Sequence, residues 1–380
     1  MVTLGIDRIQ EYPQLFKGKR LGLITNYSGV NSQLMDDMDA MAAAGYTVVK
    51  LFTPEHGLYG AMDGAAVENS RHPVYNIEMI SLYGKRKKPT AEDLAGVDLL
   101  VYDIQDVGLR YYTYIYTLAY CMQAADENGL GLVVLDRPNP LGGRVMGNRM
   151  KPEFASFVGD HELATRYGLT VGELGYYFKQ YFGLSLEYQV VPMQGYQKNM
   201  MWPETGQLWN LPSPSIHTFQ GTLCYYGGCF FEGTNVSEGR GTAEPFQMYG
   251  APYIDMDRLE KELRKRLAKI EHLAFRKRAF TPFWSKHEGK TCFGVEFIPL
   301  SQQLDFMPAA LITMKTISEM YPEEFELRSY ADVSRMPQLA GDESVNRYLE
   351  GTLSLTELLT AWESEAAEFA NQTKEFRIYE

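Results

Sequence analysis

The stretch Thr53-Pro54-Glu55-His56-Gly57 sets a carboxylate beside an imidazole, directly after the short apolar run Tyr46-Thr47-Val48-Val49-Lys50-Leu51-Phe52. Glu and His side chains can pass a proton to or from a reacting group, so acid–base catalysis is the chemistry this pair offers. A polar loop without catalytic duty would read the same way, so the pair alone does not decide. The apolar run is β-branched and lacks a helical period, which predicts a buried strand. Pro54 ends it, because proline has no backbone donor and fixes its φ.

Other polar clusters follow apolar runs in the same manner. Asn26 follows the run Arg20–Thr25, and Asp103-Ile104-Gln105-Asp106 follows Val97–Tyr102, with Arg110, Tyr111 and Tyr112 just beyond. Asp136-Arg137-Pro138-Asn139-Pro140 follows Leu132–Leu135. Each has a structural alternative. One of Asp103 and Asp106 can cap the next helix. Arg110 can face an anionic ligand or pair with an aspartate, and Asp136 and Arg137 can staple a turn. The glycine-rich stretch Phe231–Thr242 adds Glu232, Asn235, Glu238 and Arg240, an acid, amide and guanidinium set suited to contacting a ligand.

The elements that must position these residues alternate strand and helix. Strands are expected at Arg20–Thr25, Tyr46–Phe52, Val97–Tyr102, Leu132–Leu135, Leu186–Val191 and Thr222–Tyr226. Helices are expected over about 32–44, 112–128 and 171–181. Continuous apolar strands alternating with helices imply a mostly parallel sheet covered on both faces, an α/β, Rossmann-like domain. Right-handed crossovers put the loops after its strands on one edge, where such folds bind ligands. That edge would collect Asn26, Glu55, His56, Asp103, Gln105, Asp106, Asp136, Arg137 and Asn139. A second, smaller α/β domain is expected beyond about Gly250, giving domains of 1–250 and 251–380. Its helices fall near 256–268, 304–321 and 354–369, its strands near 273–280 and 291–299, and close packing of the two domains is expected.

Several function classes are disfavoured. The first strand is followed by Asn26-Tyr27-Ser28-Gly29-Val30-Asn31, neither GxGxxG nor a P-loop, so a nucleotide cofactor is not expected. No GxSxG elbow is present. The six histidines show no HxH or HExxH spacing, which leaves only a weak metal reading through His56, Asp103 and Asp136. The net charge of −12 argues against nucleic acid and anionic membranes. Cys121, Cys224, Cys229 and Cys292 lack CxxC spacing and read as buried thiols. There is no apolar run of roughly 18 residues and no basic start with an apolar core. The sequence as it stands therefore reads as cytoplasmic, or as secreted or periplasmic if a leader has been removed. With 26 Tyr, a sugar cleft is compatible with the composition.

Taken together, Lys17–Asn26, Pro54-Glu55-His56-Gly57, Asp103–Gly108, Tyr112-Thr113-Tyr114-Ile115, Leu135–Pro140, Glu232–Asn235 and Glu238–Thr242 resemble the NamZ-type exo-β-N-acetylmuramidases along nearly the whole chain. Glu153-Phe154, Ser156–Gly159 and Gly250-Ala251-Pro252 also fit. The resemblance implies hydrolysis of terminal β-linked N-acetylmuramic acid from the non-reducing end of peptidoglycan fragments, with Glu55 as the catalytic glutamate. Such a carboxyl must sit near the leaving oxygen. Asp103, Asp106, Asp136, Glu232 and Glu238 are each open as a second carboxylate, unless the substrate's acetamido group serves. The lactyl carboxylate of muramic acid suits Arg110, Arg137 or Arg240 by bidentate pairing. Two positions depart from the family's common pattern: Ser215 stands where relatives commonly have Asn, and Tyr167 where they commonly have His. The rival reading is a non-catalytic sugar- or muropeptide-binding protein with the same cleft.

Overall fold

The computed structural model describes residues 1–61, 68–84, 86–330 and 333–380, except the side chain of Tyr330. Its largest sheet has seven strands in the order 70–71, 78–81, 47–53, 20–25, 99–103, 131–135 and 188–191. All pair in parallel except Ser70–Arg71, which runs antiparallel on the edge. Strand residues alternate between faces. Ile24, Phe52, Leu100, Tyr102, Leu132 and Val134 face one core, which takes in the helices Tyr114–Glu127 and Val171–Tyr181. Leu21, Leu23, Leu51, Val101, Val133 and Leu135 face the other, with Met38 and Met41 of the helix Asp37–Ala43. Both faces are covered, as the unbroken apolar runs required.

Two expected elements differ. The helix placed over 32–44 starts only at Asp37, because Asn31 Oδ1 takes the amides of Gln33 and Met35 in a turn first. The strand expected at Thr222–Tyr226 is part of a helix, Phe219–Gly228, capped by Thr218 Oγ1 accepting the Gly221 amide. A short buried apolar run has no period that separates helix from strand. Gly227 decides its packing: a Cβ there would lie 2.8 Å from the Ala310 methyl, so only glycine lets this helix close on Met307–Met320.

The second sheet is antiparallel, with strand order Met248–Ala251, Cys292–Pro299 and Leu273–Phe280, against the helices Met256–Arg266 and Met307–Met320. The chain then returns to the first domain. Glu365, on the helix Leu355–Gln372, accepts the Arg149 amide at 2.8 Å, and the Tyr379 hydroxyl reaches Asp136 at 2.6 Å. One hydrophobic core contains residues of both sheets, so the two domains pack closely. No helix among the described residues is long and apolar enough to cross a membrane.

Candidate active site

The strand Thr47–Thr53 delivers Glu55 through a turn closed by the Gly57 amide on the Pro54 carbonyl. His56 and Gly57 both adopt left-handed backbone, φ 71° and 66°. For glycine this costs little, whereas for histidine it is uncommon and must be held by surrounding packing. His56 is buried, edge-on to Tyr114 at 6.5 Å between ring centres. Thr113 stands at the N-cap of the helix Tyr114–Glu127 but does not cap it with its side chain. Its hydroxyl instead donates to Glu55 Oε2 at 2.7 Å, which fixes the carboxylate's orientation.

Glu55 and His56 open onto a cavity of about 470 Å³, within the ~300–1,000 Å³ of typical small-molecule sites. Its walls include Tyr83, Tyr111, Tyr112, Tyr114, Phe157, Tyr225 and Phe246. Glu232, Arg240 and Arg335 also line it. A larger cavity of about 1120 Å³ lies along Arg144, Arg166, Lys198 and Asp305, but no Phe, Tyr or Trp lines it. Aromatic faces are what a sugar ring stacks on, so the smaller cavity is the better carbohydrate site.

Glu55 and Glu232 are the carboxylates lining this cavity among the described residues. Glu232 comes from the 3₁₀ turn Cys229–Gly233 and accepts from Arg240 at 2.7 Å, with Arg335 at 4.0 Å. Burial pushes its carboxyl up, but Arg240, Arg335 and Lys286 outweigh burial and hold it below the ordinary glutamate range. Lys87 lies 3.7 Å over the Phe157 ring. Burial lowers its ammonium, with Glu55 pulling the other way.

Of the residues expected to bind or react, Glu55, His56, Tyr112, Glu232 and Arg240 therefore share one cavity. The others are absent from its lining and engage their polar atoms within the protein. Arg137 grips Asp103 through two hydrogen bonds, 2.5 and 2.8 Å, and also donates to the Val30 carbonyl, with both side chains buried. Arg110 is fully buried without a carboxylate contact, donating to the carbonyls of Asn148, Leu163, Leu339 and Ala340. Neither of these guanidiniums is placed to meet a lactyl carboxylate, which corrects that expectation. Asp136 takes the Gly172 amide and the hydroxyls of Thr170 and Tyr379, fixing the start of the helix Val171–Tyr181. Asn139 donates to the Leu169 carbonyl and accepts the Leu141 amide. Asn26 accepts from Ser28, whose hydroxyl takes the Gln105 amide, and Gln105 donates to the carbonyls of Asp106 and Pro138. Asn235 binds the Glu324 carbonyl and the Tyr253 hydroxyl. Glu238 is buried against Lys286 at 2.5 Å and Arg240 at 3.5 Å. Asp136, Asn139, Gln105 and Arg110 share a physical reason: loop amides and carbonyls must be satisfied by buried side chains, whereas Asp103 and Glu238 are held by ion pairs.

The departures from the family pattern separate likewise. Ser215 lines the cavity, whereas Tyr167 is fully buried and donates to Asp106. Of the residues in the weak metal reading, His56 lines the cavity, Asp103 pairs with Arg137 and Asp136 takes the Gly172 amide. No group of three His, Cys, Asp or Glu that could hold a metal occurs among the described residues. Sequence reasoning missed Thr113, Lys87 and Arg335. Thr113 carried a signal as a threonine at a helix start, but Lys87 sits in a basic run and Arg335 in a segment far along the chain.

Two family models match the chain: exo-beta-N-acetylmuramidase NamZ, N-terminal, over residues 21–220, and exo-beta-N-acetylmuramidase NamZ, C-terminal, over 223–379. The chain is 39% identical over 383 residues to the peptidoglycan beta-N-acetylmuramidase NamZ of Bacillus subtilis (strain 168), covering 100% of this chain and 91% of that protein. A crystal structure of a DUF1343 family protein from Bacteroides fragilis NCTC 9343 superposes with a TM-score of 0.88 at 29% identity, and a second from the same organism with 0.78 at 26%. Both alignments cover 100% of this chain and 99% of the other.

Proposed function

This chain belongs to the exo-beta-N-acetylmuramidase NamZ family, and from that premise we infer that it is a glycoside hydrolase releasing terminal β-linked N-acetylmuramic acid from the non-reducing end of peptidoglycan fragments. The observation that carries the assignment of roles is the pair of unlike carboxylates in one aromatic-walled cavity. Glu232 is held ionised by Arg240, which suits it to face positive charge developing at the anomeric carbon. Glu55 is oriented by the Thr113 hydroxyl, which suits it to the proton transfer. As the C1–O bond breaks, Glu55 delivers its proton to the leaving oxygen. A water then adds its oxygen to C1 and returns a proton to the site. His56, in left-handed backbone and packed edge-on to Tyr114, is the neighbour that positions Glu55.

The test is hydrolysis of a chromogenic β-N-acetylmuramic acid glycoside. The wild type should cleave it, and Glu55→Gln should be slower by about a hundredfold or more. Equal rates for the two proteins would remove Glu55 from the mechanism. Tight binding without cleavage by the wild type would favour the silent binding protein. Activity is expected to survive strong chelators, and its loss would reopen the metal-assisted route.

A further inference from the structure

We propose that Arg335 is the residue that reads the carboxylate of the sugar's lactyl group, an assignment that rests on the muramidase reading above. Among the described residues, three cationic side chains line the cavity, Lys87, Arg240 and Arg335, and they differ in what already occupies them. Arg240 is shared between Glu232 at 2.7 Å and Glu238 at 3.5 Å, with its guanidinium 5.0 Å from the Phe246 ring centre. Lys87 is seated on Phe157. Among the described residues, the Arg335 side chain makes only a 3.4 Å hydrogen bond to Gln338 Oε1 and a 4.0 Å ion pair to Glu232, both at the outer limit of such contacts. Its planar fork is therefore available for a bidentate partner in a way the Arg240 fork is not.

The surroundings favour an anion at this place. Arg335 also lines an adjoining cavity of about 370 Å³, where Arg240, Lys286 and Arg328 join it against Glu232 and Glu238. Among the described residues, four cations against two carboxylates leave an excess of positive charge, in a chain whose net charge is −12. Lys286 is fully spent inside this cluster, on Glu238 and on the carbonyls of Phe231, Thr234 and Val236. The excess is thus carried by Arg335 and Arg328, and of these Arg335 is the one that also faces the Glu55 cavity. A glycoside whose ring stacks on the aromatic wall would present a carboxylate on an ether arm to this corner.

Two chromogenic β-glycosides decide the matter, one with the free lactyl carboxylate and one with the uncharged lactyl carboxamide. Wild type should favour the carboxylate in kcat/KM by roughly ten- to hundredfold, the size of a charge-assisted bidentate contact. In Arg335→Gln the two rates should differ by less than about threefold, and Arg335→Lys should recover part of the preference. A wild-type preference retained in Arg335→Gln, or an equal loss on both glycosides, would overturn the assignment. Transfer of the effect to Lys87→Met would do the same. Cleavage of neither glycoside by the wild type would bring down the muramidase reading itself, a result separate from any behaviour of Arg335.

Discussion

Glu55 and Thr113 lie 58 residues apart, and their hydrogen bond joins the end of the strand Thr47–Thr53 to the start of the helix Tyr114–Glu127. A threonine at a helix N-cap ordinarily spends its hydroxyl on the helix's own amides. Here that duty is left unfilled and the carboxylate takes its place. Thr113→Val should therefore lower kcat by about tenfold, the worth of one hydrogen bond to a charged group, with little change in melting temperature. Thr113→Ser should restore the rate. Wild-type turnover of Thr113→Val on the chromogenic glycoside would show that the contact does not orient the acid. Glu55 was legible in the sequence because its signal is local, a carboxylate just past a strand stopped by proline. Thr113 was not, since nothing near it in sequence reports where Glu55 lies.

At the scale of elements, the strand ends divide their polar residues between building the edge and facing the cavity. Arg110 shows the division most plainly: it resembled a ligand-binding arginine, yet it holds carbonyls from the strand Met146–Arg149, from Leu163 and from the end of the helix Arg335–Ala340. It thereby ties the first domain to the segment that carries Arg335. Arg110→Met would leave those carbonyls buried without donors, at about 1–3 kcal/mol each. We expect a loss of about 3 kcal/mol or more, read as a lower denaturant midpoint at unchanged slope. An unchanged midpoint would show that these carbonyls find other donors. The strands and their mostly parallel pairing were legible because period and length are local properties. The helix Phe219–Gly228 was not, because its packing on Met307–Met320 decides its form.

Across the whole molecule, burial without cationic partners pushes both Asp106 and Asp136 up to about 6. Unfolded aspartate titrates near 4. Between these values the folded protein holds protons that the unfolded chain has released, so stability is fully present below about pH 4 and falls as pH rises toward 6. Glu232 acts oppositely: its folded carboxyl is depressed, and its contribution is lost as pH falls below the ordinary glutamate range. The melting temperature should therefore be higher at pH 5 than at pH 7.5, and Asp106→Asn should reduce that difference. A profile unchanged in Asp106→Asn would mean that the Asp106 carboxyl does not titrate in this window. The sequence by itself determined the parallel sheet, the edge on which its loops gather and the strand that presents Glu55, because all three follow from apolar period, proline and chain handedness. Only the tertiary structure decided which strand-end side chains turn inward to satisfy loop backbone and which face the cavity. That choice depends on partners brought in from distant segments: Thr113 for Glu55, Asp103 for Arg137, and the carbonyls near Gly341 for Arg110.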